Sequence, residues 1–93
     1  MTQQYVGKIL FIKKGHRLSL QYHEQKEETL RLLSGQMELE IGDGTLRMMN
    51  GGDVQHVPPG MKHRMRALND CLVLEVSTPE LDDVVRIADD YGR

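Results

Sequence analysis

The stretch ETLRLLSGQMELEIGDGTLRMMNGGDVQHVPPG, residues 28–60, decides how this chain folds. At its centre, Met37, Leu39 and Ile41 alternate with Glu38 and Glu40. An extended strand sorts residues in this way, because successive side chains leave opposite faces: the three apolar groups meet a core and the two acids meet solvent. The flanking segments SGQ (34–36) and GDG (42–44) supply the positive-φ glycines that tight hairpins need. NGG (50–52) and PPG (58–60) read as further turns. Outward from this centre, strand-length segments recur at 18–23, 28–33, 37–41, 45–49, 54–57, 63–68 and 71–76, with little helix between them. Many short strands at near-regular spacing predict an all-β fold, an antiparallel barrel or sandwich. The tail PELDDVVRIADDYGR (79–93) has room for a helical turn or two and reads as a short C-terminal appendage.

Composition bounds the rest. Ninety-three residues make one domain, 1–93, with no room for a second core. A chain of this size buries only roughly 60–65% of its unfolded surface, so dimerisation is expected to help it, and a homodimer is the expected state. The N-terminal strand YVGKILFIKK (5–14) is the candidate for exchange between subunits, since exposed sheet edges need covering. Twelve basic and 14 acidic residues give a net charge of −2 with no basic stripe, which argues against nucleic acid and anionic membrane as partners. The single cysteine, Cys71, excludes an internal disulfide and fits a reducing compartment. The segment MTQQYVGKIL lacks the apolar run of a secretory signal, and no stretch is apolar enough to span a bilayer, so a cytoplasmic protein is expected.

Upstream of the central stretch, LSLQYHEQKEE (18–28) places chemistry on this scaffold. Gln21 and His23 are two apart and share a strand face. After the turn EQKE, a hairpin brings the Glu28 carboxylate back beside them, and PPGMKHRM offers His63 at the start of another strand. Two imidazoles, a carboxylate and an amide oxygen form a mixed N/O set for a divalent first-row ion such as zinc, manganese, nickel, cobalt or iron, and leave positions open for a ligand. With no thiolate in the set, it does not read as a closed structural zinc site. An inward carboxylate at a barrel mouth is costly alone, which again favours a cation beside Glu28.

These spacings resemble the two metal-ligand motifs of the cupin family. Motif 1 (15–35) runs Gly15, five residues, Gln21-Tyr22-His23, four residues, Glu28, six residues, Gly35, with Gln21 where the family usually has histidine. Motif 2 (52–67) runs Gly52, five residues, Pro58-Pro59-Gly60, two residues, His63, three residues, then Ala67 in place of the usual asparagine. The resemblance implies a small antiparallel jelly-roll barrel. LSLQYH and the ending LDDVVRIADDYGR (81–93) further resemble the isomerase domain of bifunctional mannose-6-phosphate isomerase/mannose-1-phosphate guanylyltransferases. The likeness spans roughly residues 7–93 and includes nothing of the nucleotidyltransferase. The family's EHW after the motif glutamate is ETL here, and its extra histidines are Glu24 and Gln25.

What this implies is an aldose–ketose isomerase acting on a sugar or sugar phosphate, with Lys26 or Arg93 holding the phosphate or the enediolate. Tyr91 and Arg93 are candidates for substrate contact only through the tail's likeness. A non-enzymatic carbohydrate-sensing cupin and a metal-dependent dioxygenase are the alternatives. No residue stands out as general base. Of the remaining candidates, His16 and His56 read as surface groups, Cys71 as a small packed residue, and Met37, Met61 and Met65 as core or rim filler. Arg17, Arg64 and Arg66 are further phosphate candidates, though alternation from His63 turns Arg64 and Arg66 outward to the surface.

Overall fold

The computed structural model describes residues 5–79 and 83–88 and is built from nine strands among them. These are β1 (Val6–Ile12), β2 (Leu20–Tyr22), β3 (Glu28–Ser34), β4 (Gln36–Ile41), β5 (Thr45–Asn50), β6 (Val54–Val57), β7 (His63–Ala67), β8 (Cys71–Ser77) and β9 (Val85–Ala88). They form two antiparallel sheets, ordered β1-β8-β3-β6 and β5-β4-β7-β2-β9. No helix among the described residues is long and apolar enough to cross a membrane.

The turns fall where the glycines placed them, and GDG joins the paired strands β4 and β5; SGQ, expected to close a hairpin, instead carries the chain from one sheet to the other, since β3 and β4 do not pair. Gly35, at φ 97°, turns β3 into β4, and no side chain could replace its hydrogen. A Cβ there would land on the Asp70 carbonyl oxygen and lie 2.9 Å from both Asn69 Oδ1 and Cys71 Sγ. The alternation read in 37–41 holds: Met37 and Leu39 are fully buried, and across the strand pair Glu38 and Glu40 face Arg66 and Arg64.

The inward positions of three strands change character along the barrel. On β3 they run Glu28, Leu30, Leu32; on β8, read in reverse, Ser77, Glu75, Val73, Cys71; on β7, His63, Met65, Ala67. Register aligns these series, since Glu28 pairs with Ser77, Leu30 with Glu75 and Leu32 with Val73. One end of the interior is therefore filled by Leu30, Leu32, Met37, Leu39, Met49, Met65, Cys71 and Val73, and the other is lined by polar groups. The apolar end supplies the burial that stabilises the fold, at about 25 cal/mol per Å². The polar end is where a ligand can enter.

Two other readings of the sequence need correction. Residues 83–88 are not helical: β9 pairs with β2, whose outer edge would otherwise leave backbone donors and acceptors open, and Val85 and Ile87 suit an extended chain. The remainder of the tail, including Tyr91 and Arg93, lies outside the described residues. Arg64 does point away from the interior, yet it is buried rather than at the surface. Its strand sits inside a five-stranded sheet with half-buried Glu40 directly opposite, so neighbouring side chains cover it. The segment suggested for exchange pairs with β8 of its own chain through all seven residues of β1.

Candidate metal centre

At the polar end, three buried side chains from three places in the sequence converge. His23 follows β2, Glu28 begins β3 and His63 begins β7, and they are 4%, 2% and 1% exposed. His63 Nε2 lies 3.0 Å and His23 Nε2 3.4 Å from the same oxygen, Glu28 Oε1, and the two rings are 5.5 Å apart, centroid to centroid.

The far side of each ring settles its tautomer. His23 Nδ1 is 2.6 Å from the Asp83 carbonyl oxygen, and His63 Nδ1 is 3.2 Å from that of Met61. A carbonyl only accepts, so both Nδ1 atoms carry the proton and donate it. In the neutral rings both Nε2 atoms are then bare lone pairs aimed at a carboxylate, and neither has a hydrogen-bond partner among the described residues. A shared proton would satisfy one imidazole and leave the other lone pair facing Oε1. A divalent cation satisfies all three groups. For an ion with bonds of about 2.0–2.1 Å, neighbouring ligand atoms lie about 3.0 Å apart in octahedral and about 3.4 Å apart in tetrahedral geometry. The two imidazole–carboxylate distances span that range. The cluster can thus hold a metal ion.

Electrostatics agree. Burial pushes the Glu28 carboxyl up, but His63, then His23 and Lys26, outweigh it and hold the group below the ordinary glutamate value. The carboxylate stays charged, as a ligand must.

Gln21 sits directly across from His63 on the neighbouring strand and lines the same cavity. Its Oε1 accepts from Ser19 Oγ at 3.3 Å, which fixes the amide beside the cluster. Lys26 is also brought in: it lines the cavity and is only 8% exposed. His16 and His56 are exposed, as expected, and His56 pairs with Glu27 at 3.2 Å on the surface. Cys71 is fully buried, Met37 and Met65 are core, and Met61 packs against it.

Besides the cavity cations Lys8 and Arg86, two acidic residues at the site escaped the sequence reading. Glu75 is 8% exposed and lines the cavity, where it meets Lys8 Nζ at 3.8 Å. Burial and the charge of Glu28 push its carboxyl above the ordinary glutamate value. A signal was present, since alternation in CLVLEVS places Glu75 on the inward face with Cys71 and Val73. Asp83 is the other. Its carboxylate accepts the backbone N–H groups of Glu24, Gln25 and Lys26 at 2.9, 2.5 and 2.7 Å, while its carbonyl orients His23. Partial desolvation pushes its carboxyl up, but those three donors outweigh it and hold it below the ordinary aspartate value. No local pattern marks an aspartate that acts on a loop nearly 60 residues away.

The cavity itself is about 200 Å³ and is lined by Lys8, Gln21, His23, Lys26, Glu28, Glu75, Val84 and Arg86. A two-sheet antiparallel barrel with two histidines and a glutamate converging at its polar end defines the class as a small β-barrel with a metal-capable interior. Residues 9–77 match the cupin domain family, and the chain belongs to that family. Among curated relatives, the xanthan biosynthesis protein XanB of Xanthomonas campestris pv. campestris (strain B100) is 32% identical over 98 residues, covering 100% of this chain and 21% of the relative. The mannose-1-phosphate guanylyltransferase of Escherichia coli K12 is 32% identical over 95 residues, covering 97% of this chain and 20% of the relative. The chain therefore spans about a fifth of the length of these relatives. In fold it is similar to a double-stranded β-helix protein from Klebsiella pneumoniae, with a TM-score of 0.82 at 20% identity over 96% of this chain and 78% of the other.

Proposed function

We propose that Gln21, His23, Glu28 and His63 hold a divalent first-row ion and that the protein is an aldose–ketose isomerase acting on a sugar or sugar phosphate. The observation that carries this reading is the pair of donorless Nε2 atoms meeting a buried carboxylate in a cavity that also contains Glu75. The match to sugar-nucleotide and polysaccharide proteins, and the likeness of residues 7–93 to an isomerase domain, support the substrate class.

An ion held there supplies Lewis acidity toward a substrate carbonyl. The chain's own groups supply the rest. Glu75, a buried carboxyl held above the ordinary range, is suited to take a proton from one carbon and return it to the next. Lys26 places a positive charge in the same cavity, where an enediolate oxygen gathers negative charge. Gln21 offers an amide to orient a hydroxyl. A homodimer fits the exposed apolar groups Ile9, Phe11, Leu72 and Val76 on the outer face of β1 and β8.

The test is metal analysis of the purified protein combined with solvent-deuterium exchange at C2 of mannose 6-phosphate, fructose 6-phosphate and free pentoses. Bound zinc, manganese, nickel or cobalt with exchange into one of these sugars is the expected result; a protein that holds no ion overturns the proposal. A second reading, a metal-dependent carbohydrate-binding cupin, is supported by the same cluster and cavity, which would hold a sugar without turning it over. Saturable binding without exchange selects it, and oxygen uptake by an iron-loaded protein selects a dioxygenase.

A further inference from the structure

The basic side chains of the cavity come from three separate elements: Lys8 from β1, Lys26 from the loop before β3, and Arg86 from β9. Lys8 shares its strand face with the core residue Ile12 and the partly buried Leu10, so its side chain leaves β1 on the cavity side while staying largely exposed at the rim. Lys26 is 8% exposed, a degree of burial that lysine seldom reaches without a counter-charge, and the carboxylates of Glu28 and Glu75 are near enough to attract it. Among the described residues, the trio's one ion pair is the 3.8 Å contact of Lys8 with Glu75.

The charges that face this cavity do not balance. From β1, the β2–β3 loop and β9 come three cations; from β3 and β8 come two carboxylates, Glu28 and Glu75. The surplus is positive even before a divalent ion is added, and Glu28 is the carboxylate such an ion would neutralise further. A neutral polyol leaves that surplus uncompensated. A carboxylate or phosphate offsets it with charge-assisted hydrogen bonds, which an arginine fork matches in geometry.

We propose that the cavity binds a small oxyanion, carboxylate or phosphate, held by Lys8, Lys26 and Arg86 beside the His23/Glu28/His63 cluster. The proposal rests on the metal reading for the ligand's second contact only; the anion's grip by the basic trio stands without it.

The experiment is calorimetric titration of the full chain, as purified and after chelation, with inorganic phosphate, glycerate and glycerol, and metal content measured on the same samples. Glycerate and glycerol share a carbon skeleton and differ in charge. Glycerate or phosphate is expected to bind at least about tenfold more tightly than glycerol, with the preference shrinking as salt rises. Phosphate alone or glycerate alone identifies which oxyanion the site takes. Arg86→Gln and Lys8→Gln, both at solvent-exposed positions that leave the fold intact, are each expected to weaken anion binding about tenfold and leave glycerol unchanged. Equal binding of glycerate and glycerol, no binding of either anion, or anion binding that neither substitution touches overturns the proposal. A sample without metal defeats the metal-site reading alone, because the glycerate-to-glycerol ratio of the chelated protein still decides this one.

Discussion

Replacing Glu28 by glutamine puts an amide nitrogen where two imidazole lone pairs meet a carboxylate. The chelated protein is the reference, in which the Glu28 carboxylate stands between the two rings. Their Nδ1–H groups are committed to the carbonyls of Asp83 and Met61, and both bare Nε2 atoms face Glu28 Oε1 at 3.4 and 3.0 Å. A buried polar atom left without a partner costs about 1–3 kcal/mol. The glutamine amide, in the same rotamer, can donate to His63 Nε2 at the existing distance and point its second hydrogen toward His23. Against this gain stands the lost attraction of the Glu28 charge for His63, then for His23 and Lys26. The chelated Glu28→Gln protein is therefore expected to match wild type or exceed it by up to about 2 kcal/mol, with each kcal/mol moving the melting temperature about 4–8 °C in a domain of this size. Metal reverses the order. Wild type, with free ion at about a thousand times its Kd, gains about 4 kcal/mol, while an amide in place of the carboxylate forfeits most of that gain. Thermal unfolding of both proteins, with chelator and with zinc or manganese, should give stability orders that cross. If chelated Glu28→Gln melts well below wild type and metal shifts neither, the three groups are not a cation site and the reasoning fails.

Three further substitutions probe other links. Gly35→Ala forces a side chain onto a residue at positive φ and onto the Asp70 carbonyl, and should cost about 3 kcal/mol in urea denaturation; a loss under about 1 kcal/mol would mean that the turn can shift. Because folding raises the Glu75 carboxyl, its charge opposes the folded state above the ordinary glutamate value and has no effect well below it. Glu75→Gln should thus stabilise the protein at neutral pH, leave it unchanged in acid and abolish deuterium exchange, and equal stability across that range would contradict the assignment. Asp83 is depressed instead, so its stabilisation is present above the ordinary aspartate value and is lost as pH falls through its folded value. Asp83→Ala keeps the carbonyl that orients His23 but cuts its tie to the 24–26 loop, and should remove that acid-sensitive part of the stability curve and, by letting the carbonyl shift, weaken metal binding about 10- to 100-fold in a chelator competition assay. Unchanged affinity would show that the carbonyl holds His23 without help from the carboxylate.

Much of the architecture was legible in the chain because a strand's period of two is written in its residues. Met37, Leu39 and Ile41 announced an inward face, Gly35 and Gly42 announced turns, and the pairing of β4 with β5 followed from their proximity in sequence, whereas β3, equally near, joins the other sheet. His23, Glu28 and His63 were legible for the same reason: each occupies a strand-end position whose face is set by spacing, and their chemical types are uncommon together in an interior. Alternation also placed Arg64 outward, but it says nothing about what lies over an outward side chain, and so Arg64 was assigned to solvent when it is covered.

What alternation cannot convey is which distant strand lies alongside which, and in what register. That β8 runs beside β3 with Leu30 opposite Glu75, and that β9 closes on β2, follows from burial of the whole sheet pair rather than from any local signal. Those two pairings bring Glu75, Arg86 and Asp83 to the site, and a third, β1 on β8, brings Lys8. The residues alone determined an all-β chain with a metal-capable triad. Only the tertiary structure decided which charges surround that triad, because long-range backbone pairing, not sequence spacing, sets their distances.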